Sequence, residues 1–297
     1  MASHAARPKS GIELKPDLEM APIHRLLFPA AILALSAATT AFAAAVAASI
    51  APRTKIIVPL YSYSEACWPE LQSAAKANPT VDWIVVINPN SGPIKDAQDP
   101  SLYCIPTLRS VLSPNSILVG YVRTGYNSRA LRLIKRDVET YAGWNKIKAG
   151  PNGQTVGLDG IFFDETSDTT DKRLEAFATY AKAAFSNRNI KIVSNPGTAV
   201  GSTYFSQATY VVDYESAYSD YSISNLPTSQ SQLRQSVVMI HDFPSSSSTL
   251  EQVLAPLIKA QVGAVFVTDL KIAETDVYGK FGNNWQAFVK EVATLNG

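Results

Sequence analysis

The chain is poor in histidine. Three of its 297 residues are His, and His4 and His24 both precede an uncharged stretch that begins at Leu26. His241 alone serves the rest of the chain. That excludes a His-rich zinc site and ties any Ser-His-Asp triad to one imidazole, with no Gly-x-Ser-x-Gly elbow to accompany it. Glycine is missing after the first apolar run, where a dinucleotide-binding fold carries its phosphate turn; Tyr61-Ser62-Tyr63-Ser64 stands there instead. Neither sign of charge dominates, with 26 Lys+Arg against 25 Asp+Glu and a net charge of +1. There is no basic stripe, so nucleic acid is not an expected partner. No Asn-x-Ser/Thr site survives the exclusion of proline at x, so N-glycosylation is not expected. No Pro/Gly/Ser-rich linker divides the chain beyond the short Ser245–Ser248 run.

Residues 1–25 are polar and mixed in charge, the composition of a disordered tail. Residues 26–51 carry no charge, and 12 of these 26 are alanine. A bilayer span takes about 20 apolar residues, so the segment is long enough to anchor. Its strongly apolar part, Leu26 to Leu35, is short and preceded by Arg25, which also fits a cleavable signal peptide ending near Ala41-Phe42-Ala43. Both readings place residues 52–297 outside the cytosol, at the cell surface or beyond it. Cys67 and Cys104 fit that compartment as one disulfide; two buried thiols are the alternative.

From residue 52 onward, apolar β-branched runs alternate with helical patterns. Strands are predicted at Ile56–Tyr61, Trp83–Asn88, Ile117–Arg123, Asp159–Asp164, Ile190–Ser194, Tyr210–Tyr214, Val237–His241 and Ala264–Asp269. Helices are predicted at Glu65–Asn78, Ser101–Leu112, Ser128–Trp144, Asp171–Phe185, Ser202–Ala208, Thr249–Val262 and Asn284–Leu295, with a weakly patterned element near Ser229–Gln235. Strands apolar on both faces are the mark of a buried parallel sheet. Eight such units in about 240 residues match a (β/α)8 TIM barrel, for which about 250 is typical; an open doubly wound sheet is the runner-up.

In such a barrel, chemistry sits at the C-terminal strand tips. These read Tyr61, Asn88, Tyr121 or Arg123, Asp164 with Glu165, Asn195, Asp213 to Glu215, His241 with Asp242, and Asp269. Helix capping accounts for some of them, and Asn90 and Asp269 are assigned to caps or loops. Capping does not readily account for two adjacent acids at the fourth strand and another at the sixth. Asp164 and Glu215 are therefore the candidate catalytic carboxylates, the pair that glycoside hydrolysis needs. Glu215 is taken as the acid and Asp164 as its partner. Glu165 assists, and is expected to point away from Asp164 because neighbouring strand residues alternate. Tyr61, Asn88, Tyr121, Asn195, His241 and Asp242 are candidate substrate contacts, with Tyr63, Tyr126, Tyr214 and Tyr218 as further aromatics at the mouth. A carboxylate-only metal site built from Asp164, Glu165, Asp213, Glu215 and Asp242 is the second enzymatic reading. A non-catalytic carbohydrate-binding protein and a structural wall protein are the readings from other classes.

Ile57-Val58-Pro59-Leu60-Tyr61, the Asn88-Pro89-Asn90-Ser91-Gly92-Pro93 element, Val119-Gly120-Tyr121-Val122 and Asp159-Gly160-Ile161-Phe162-Phe163-Asp164-Glu165 together resemble the spherulin-four-like family of secreted or cell-surface proteins. The resemblance covers about residues 55–295. It implies a (β/α)8 fold and cleavage of α-1,4-linked N-acetylgalactosamine within galactosaminogalactan, an exopolysaccharide of cell wall and biofilm. It implies catalytic roles for Asp164, Glu165 and Glu215, with Asn195, His241 and Asp242 also matching the family pattern. The polysaccharide is then the partner, no cofactor or metal is required, and a monomer is expected.

Overall fold

The computed structural model describes residues 53–297, apart from 63, 65, 97–98, 150–152, 170–171, 187–188 and 245–246. The expected tail at 1–25 and the apolar segment at 26–51 lie outside the described residues. Among the described residues, no helix is long and apolar enough to cross a membrane.

Strands β1 (Lys55–Leu60), β2 (Trp83–Ile87), β3 (Ile117–Arg123), β6 (Gly160–Asp164), β7 (Lys191–Ser194), β8 (Tyr210–Ala217), β9 (Ser236–His241) and β10 (Ala264–Val267) close into one barrel, in the order β1-β10-β9-β8-β7-β6-β3-β2. Every barrel pairing is parallel. A short antiparallel pair, β4 (Lys148–Ala149) with β5 (Gln154–Thr155), stands outside it. Helices α1 (Pro69–Ala77), α2 (Cys104–Val111), α3 (Leu131–Gly143), α4 (Lys172–Ala184), α5 (Ser202–Phe205), α6 (Gln230–Leu233), α7 (Ser247–Lys259) and α8 (Trp285–Asn296) fill the crossovers.

The strands are hydrophobic on both faces because both are covered. One face meets its opposite numbers inside the barrel and the other meets the helices, which leaves β2 and β9 fully buried along their length. Gly120 shows how tightly the helical layer is seated. A Cβ there would lie 2.6 Å from the Tyr141 ring of α3, whose hydroxyl donates to the Ile87 carbonyl at 2.9 Å. The Phe163 ring packs outward onto Phe177 of α4 at 5.6 Å between centroids.

The structure departs from the sequence reading at element ends. The first helix starts at Pro69 rather than Glu65, because Cys67 and Trp68 adopt left-handed backbone angles and Pro69 then opens the helix, where proline is favoured. A 3₁₀ turn occupies Pro100–Tyr103 before α2. The eighth barrel strand stops at Val267, and Asp269 falls in the loop beyond it. The sixth runs on to Ala217 through a register shift between Val212 and Tyr214.

Cys67 and Cys104 form a disulfide across 37 residues, with Cα atoms 4.9 Å apart. It ties the loop after β1 to the start of α2. Closing a loop of that length removes about 3–4 kcal/mol of unfolded-state entropy in the chain-entropy picture. The double variant Cys67→Ser/Cys104→Ser is expected to lower Tm by about 5–15 °C, since 1 kcal/mol moves a domain of this size by about 2–4 °C. The same drop should appear in the unmodified protein under strong reductant. A melting curve insensitive to both changes would refute it.

Candidate active site

Asp164 ends β6 and Glu215 lies on β8, two strands round the barrel. Between them sits Asn195, directly after β7. Its Nδ2 donates to Asp164 Oδ1 at 2.8 Å and to Glu215 Oε2 at 2.7 Å. Only the NH₂ end of the amide can face two carboxylates, so the chemistry assigns its orientation. Sharing one nitrogen keeps the two nearest carboxylate oxygens within about 5.5 Å.

Three tyrosines frame the pair. The Tyr121 hydroxyl stands beside the Asp164 carboxyl and favours its ionised form, and the Tyr278 hydroxyl donates to Glu215 Oε1 at 2.6 Å. Tyr61 stands between these rings, edge-on to both at 5.1 and 5.6 Å. Burial, then the nearby carboxylates, push the Tyr61 and Tyr278 hydroxyls well above the usual tyrosine range, and Tyr121 rises for the same reasons. All three remain protonated donors in any ordinary solvent. Burial also pushes the Asp164 carboxyl up, to about 6, opposed by the Tyr121 hydroxyl and aided by the Glu215 charge.

An open cleft of about 370 Å³ lies over these groups, lined by Tyr126, Asp164, Glu165, Asn195, Pro196, Gly197, Glu215, His241, Ile272 and Tyr278. Hollows of about 510 and 420 Å³ lie around Tyr180 on the outer helices. The strand-tip cleft is singled out by chemistry, not size. Tyr126 and Ile272 leave 71% and 65% of their surfaces exposed, the highest values among the exposed large hydrophobics, and both stand on its rim.

Glu165 corrects one expectation: it lines the same cleft as Asp164. Its φ of 51° breaks the strand alternation that would have sent it elsewhere. That backbone is held by its own carbonyl, which accepts from Tyr126 N at 2.5 Å and from Thr124 Oγ1 at 2.7 Å. Its carboxylate pairs with Arg123 Nε at 2.7 Å. His241 also lines the cleft, and its Nδ1 bonds the Asp242 carboxylate. That hydrogen bond holds the Asp242 carboxyl below its usual range. Asp242 does not line the cleft but also accepts from Ile272 N at 3.4 Å.

Asn88 is not among the lining residues. Its Oδ1 accepts from Gly92 N at 2.8 Å and braces the turn after β2. Tyr214 packs on Tyr221 and donates to Ala217 O, and Tyr218 packs on Phe243, both away from the acids. Tyr63 lies outside the described residues. Asp213 faces Ser236, away from the cleft. Among the described residues, no three His, Cys, Asp or Glu side chains converge as metal ligands. The sequence reading missed Tyr278, which sits mid-loop between β10 and α8 where no periodicity marks it.

The family profile described as "Spherulation-specific family 4" matches residues 55–292. Spherulin-4 of Physarum polycephalum is 31% identical over 166 residues, 56% of this chain. The match spans 46%, about half, of that relative's length. The crystal structure of Aspergillus clavatus Sph3 in complex with GalNAc superposes with a TM-score of 0.69 at 31% identity, covering 82% of this chain and 98% of that one.

The raised Asp164 carboxyl has a stability consequence. The unfolded chain ionises this group near its ordinary 3.8, whereas the folded chain ionises it at about 6. Between those values the folded state holds the extra proton, so stability falls as pH rises through the window and stays lower above it. Asp164→Asn removes that penalty. At pH 7 the variant should be more stable than the parent by on the order of 1 kcal/mol, once a weakened hydrogen bond to Asn195 is allowed for. The gain should vanish towards pH 4. Paired denaturant titrations at both pH values test this, and a difference independent of pH would contradict it.

Proposed function

The chain belongs to spherulation-specific family 4, and on that premise we propose that it is a glycoside hydrolase that cleaves α-1,4-linked N-acetylgalactosamine within an exopolysaccharide such as galactosaminogalactan. The observation that carries the reading is the bond pattern of Asn195, which holds two carboxylates side by side under an open cleft. Sph3, similar over most of this chain, was crystallised in complex with GalNAc, and this supports the choice of sugar.

In this reading, one carboxyl protonates the glycosidic oxygen and the other attacks the anomeric carbon. The bond from that carbon to the leaving oxygen breaks as a glycosyl ester forms; water then releases the sugar, returning the proton to the first carboxylate. The shared Asn195 nitrogen keeps the nearest oxygens of the two carboxylates within about 5.5 Å, and this closeness supports the retaining, two-step course. Glu215 is assigned as the acid and Asp164 as the nucleophile, which attacks in its ionised form above about pH 6. Asn195 and the tyrosines hold both in place, and their neutral N–H and O–H donors stabilise negative charge in a partly dry site. His241, with Nδ1 engaged by Asp242, offers Nε2 to a sugar hydroxyl. Glu165 and Tyr126 contact the chain further along the cleft. No metal or cofactor takes part.

The proposal extends to location. Residues 26–51 direct the protein out of the cytosol and either leave as a signal peptide or remain as an anchor. N-terminal sequencing of the mature protein distinguishes the two fates. In this reading residues 53–297 act as a monomer.

The reading is tested by product release from purified galactosaminogalactan. The parent should yield oligosaccharides; Asp164→Asn and Glu215→Gln should each lose at least about a thousandfold in rate while still binding the polymer. An activated aryl glycoside separates the two acids, because a good leaving group needs no proton. Glu215→Gln should recover most of its glycosylation rate on that substrate and Asp164→Asn should not; the reverse pattern would swap the roles. Binding without turnover by the parent protein would replace the hydrolase with a carbohydrate-binding protein.

A further inference from the structure

Glu215 faces the cleft because β8 contains one residue more than its partner. Strand β9 sets the frame. His241 points into the cleft, so alternation puts Met239 and Val237 on the same inward face and Ser236, Val238 and Ile240 on the outer one. Val211 pairs with Ser236 and Val212 with Val237; the register then slips, and Tyr214 pairs with Val238 and Glu215 with Met239. Paired residues of adjacent strands share a face. Val211 is therefore outward and Glu215 inward. Counting by twos along an unbroken strand would have put 211, 213 and 215 all on the outside. The extra residue, Asp213, reverses the count for everything after it.

Asp213 is also an unusual residue to find there. It is 3% exposed. Its Oδ2 accepts from Ser236 Oγ at 2.6 Å, and its Oδ1 has no hydrogen-bond partner among the described residues. No ion pair among the described residues includes it. A buried acid without a cation is costly, and packing alone would be served better by an apolar or neutral side chain. The N–H groups of Asp213 itself and of Val237, where the ladder opens, lie near the carboxylate and partly offset its burial.

We propose that Asp213 is a positioning residue: bound to Ser236 on the outer face of the barrel, it holds open the bulge that turns Glu215 into the cleft. The proposal rests on the catalytic role given to Glu215 above, but its geometric core does not depend on which sugar is cut. Burial pushes the Asp213 carboxyl up to about 7, so an amide at this site imitates the form that is already populated near neutrality.

Three variants test it: Asp213→Ala, Asp213→Asn and Ser236→Ala, each read by steady-state kinetics and by ¹³C NMR titration of Asp164. The Glu215 charge helps to raise the Asp164 carboxyl, so Asp164 reports the position of Glu215 without any turnover. Asp213→Ala should lower kcat about 100-fold with KM within about threefold, the scale of a reacting group misplaced by about 1 Å. Its Asp164 midpoint should fall below the parent's value. Asp213→Asn should keep kcat within about threefold and an unshifted midpoint. Ser236→Ala, which leaves the strand intact, should show a smaller loss of kcat and a downward shift of the same kind, and it decides the matter if Asp213→Ala does not fold. An unshifted Asp164 midpoint and parental kcat in Asp213→Ala, or in Ser236→Ala where it stands in, would overturn the proposal. So would an equal loss in Asp213→Asn. If the parent protein turns over no galactosamine polymer while the midpoint shifts as expected, the assigned reaction fails and the positioning role stands.

Discussion

Two acids brought within about 5.5 Å of each other in a largely buried site repel, and the barrel mouth is arranged around containing that repulsion. Asn195 donates one hydrogen bond to each, Tyr278 donates a further one to Glu215, and the Tyr121 hydroxyl stands beside Asp164. All these donors are neutral. A lysine or arginine in their place would favour the ionised carboxylates more strongly. Neutral donors leave Asp164 able to hold a proton up to about pH 6, which suits the acid–base chemistry proposed for the site. Tyr61 fills the gap between the two flanking rings.

Departures from regular backbone cluster at the same end of the molecule. Glu165, Asp242 and Tyr126 all take positive φ, and β8 carries its bulge two residues below Glu215. Each left-handed residue of this kind costs on the order of 1 kcal/mol or more and persists only where neighbours over-determine it. Here the neighbours are visible. Tyr126 N and Thr124 Oγ1 hold the Glu165 carbonyl, and the Asp242 carboxylate is engaged by His241 and Ile272 N. The sides of the barrel, where the strands are regular and the helices dock closely, supply the rigidity against which this strain is held.

Much of the fold was legible because its signals are local. Apolar runs of four to seven residues, separated by helical patterns and turns, mark the barrel strands to within a few residues at most ends. Asp164 was legible for a related reason: an acid after Ile161-Phe162-Phe163 marks the point where a buried strand reaches solvent. Asn88 shows the limit. It occupies a strand tip as Asn195 does, yet one braces a turn and the other bridges two acids, and residue type at a tip does not distinguish them. Tyr278 lies in a loop with no period to read, and it reaches Glu215 across 63 residues of sequence.

The sequence by itself determined the succession of strands and helices, the count of eight strand–helix units, and the presence of acids at the fourth and sixth strand tips, because periodicity and composition act over a few neighbouring residues; closure of the sheet came from the pairing of β1 with β10. The tertiary structure decided which way those acids face. A positive φ at Glu165 and one inserted residue at Asp213 each reverse the alternation that the sequence pattern implies. Both are held by partners distant in the chain: Thr124 and Tyr126 for the first, Ser236 for the second. The pairing of Cys67 with Cys104 was left open in the same way, since only the packing of the loop after β1 against α2 brings the two sulfurs together.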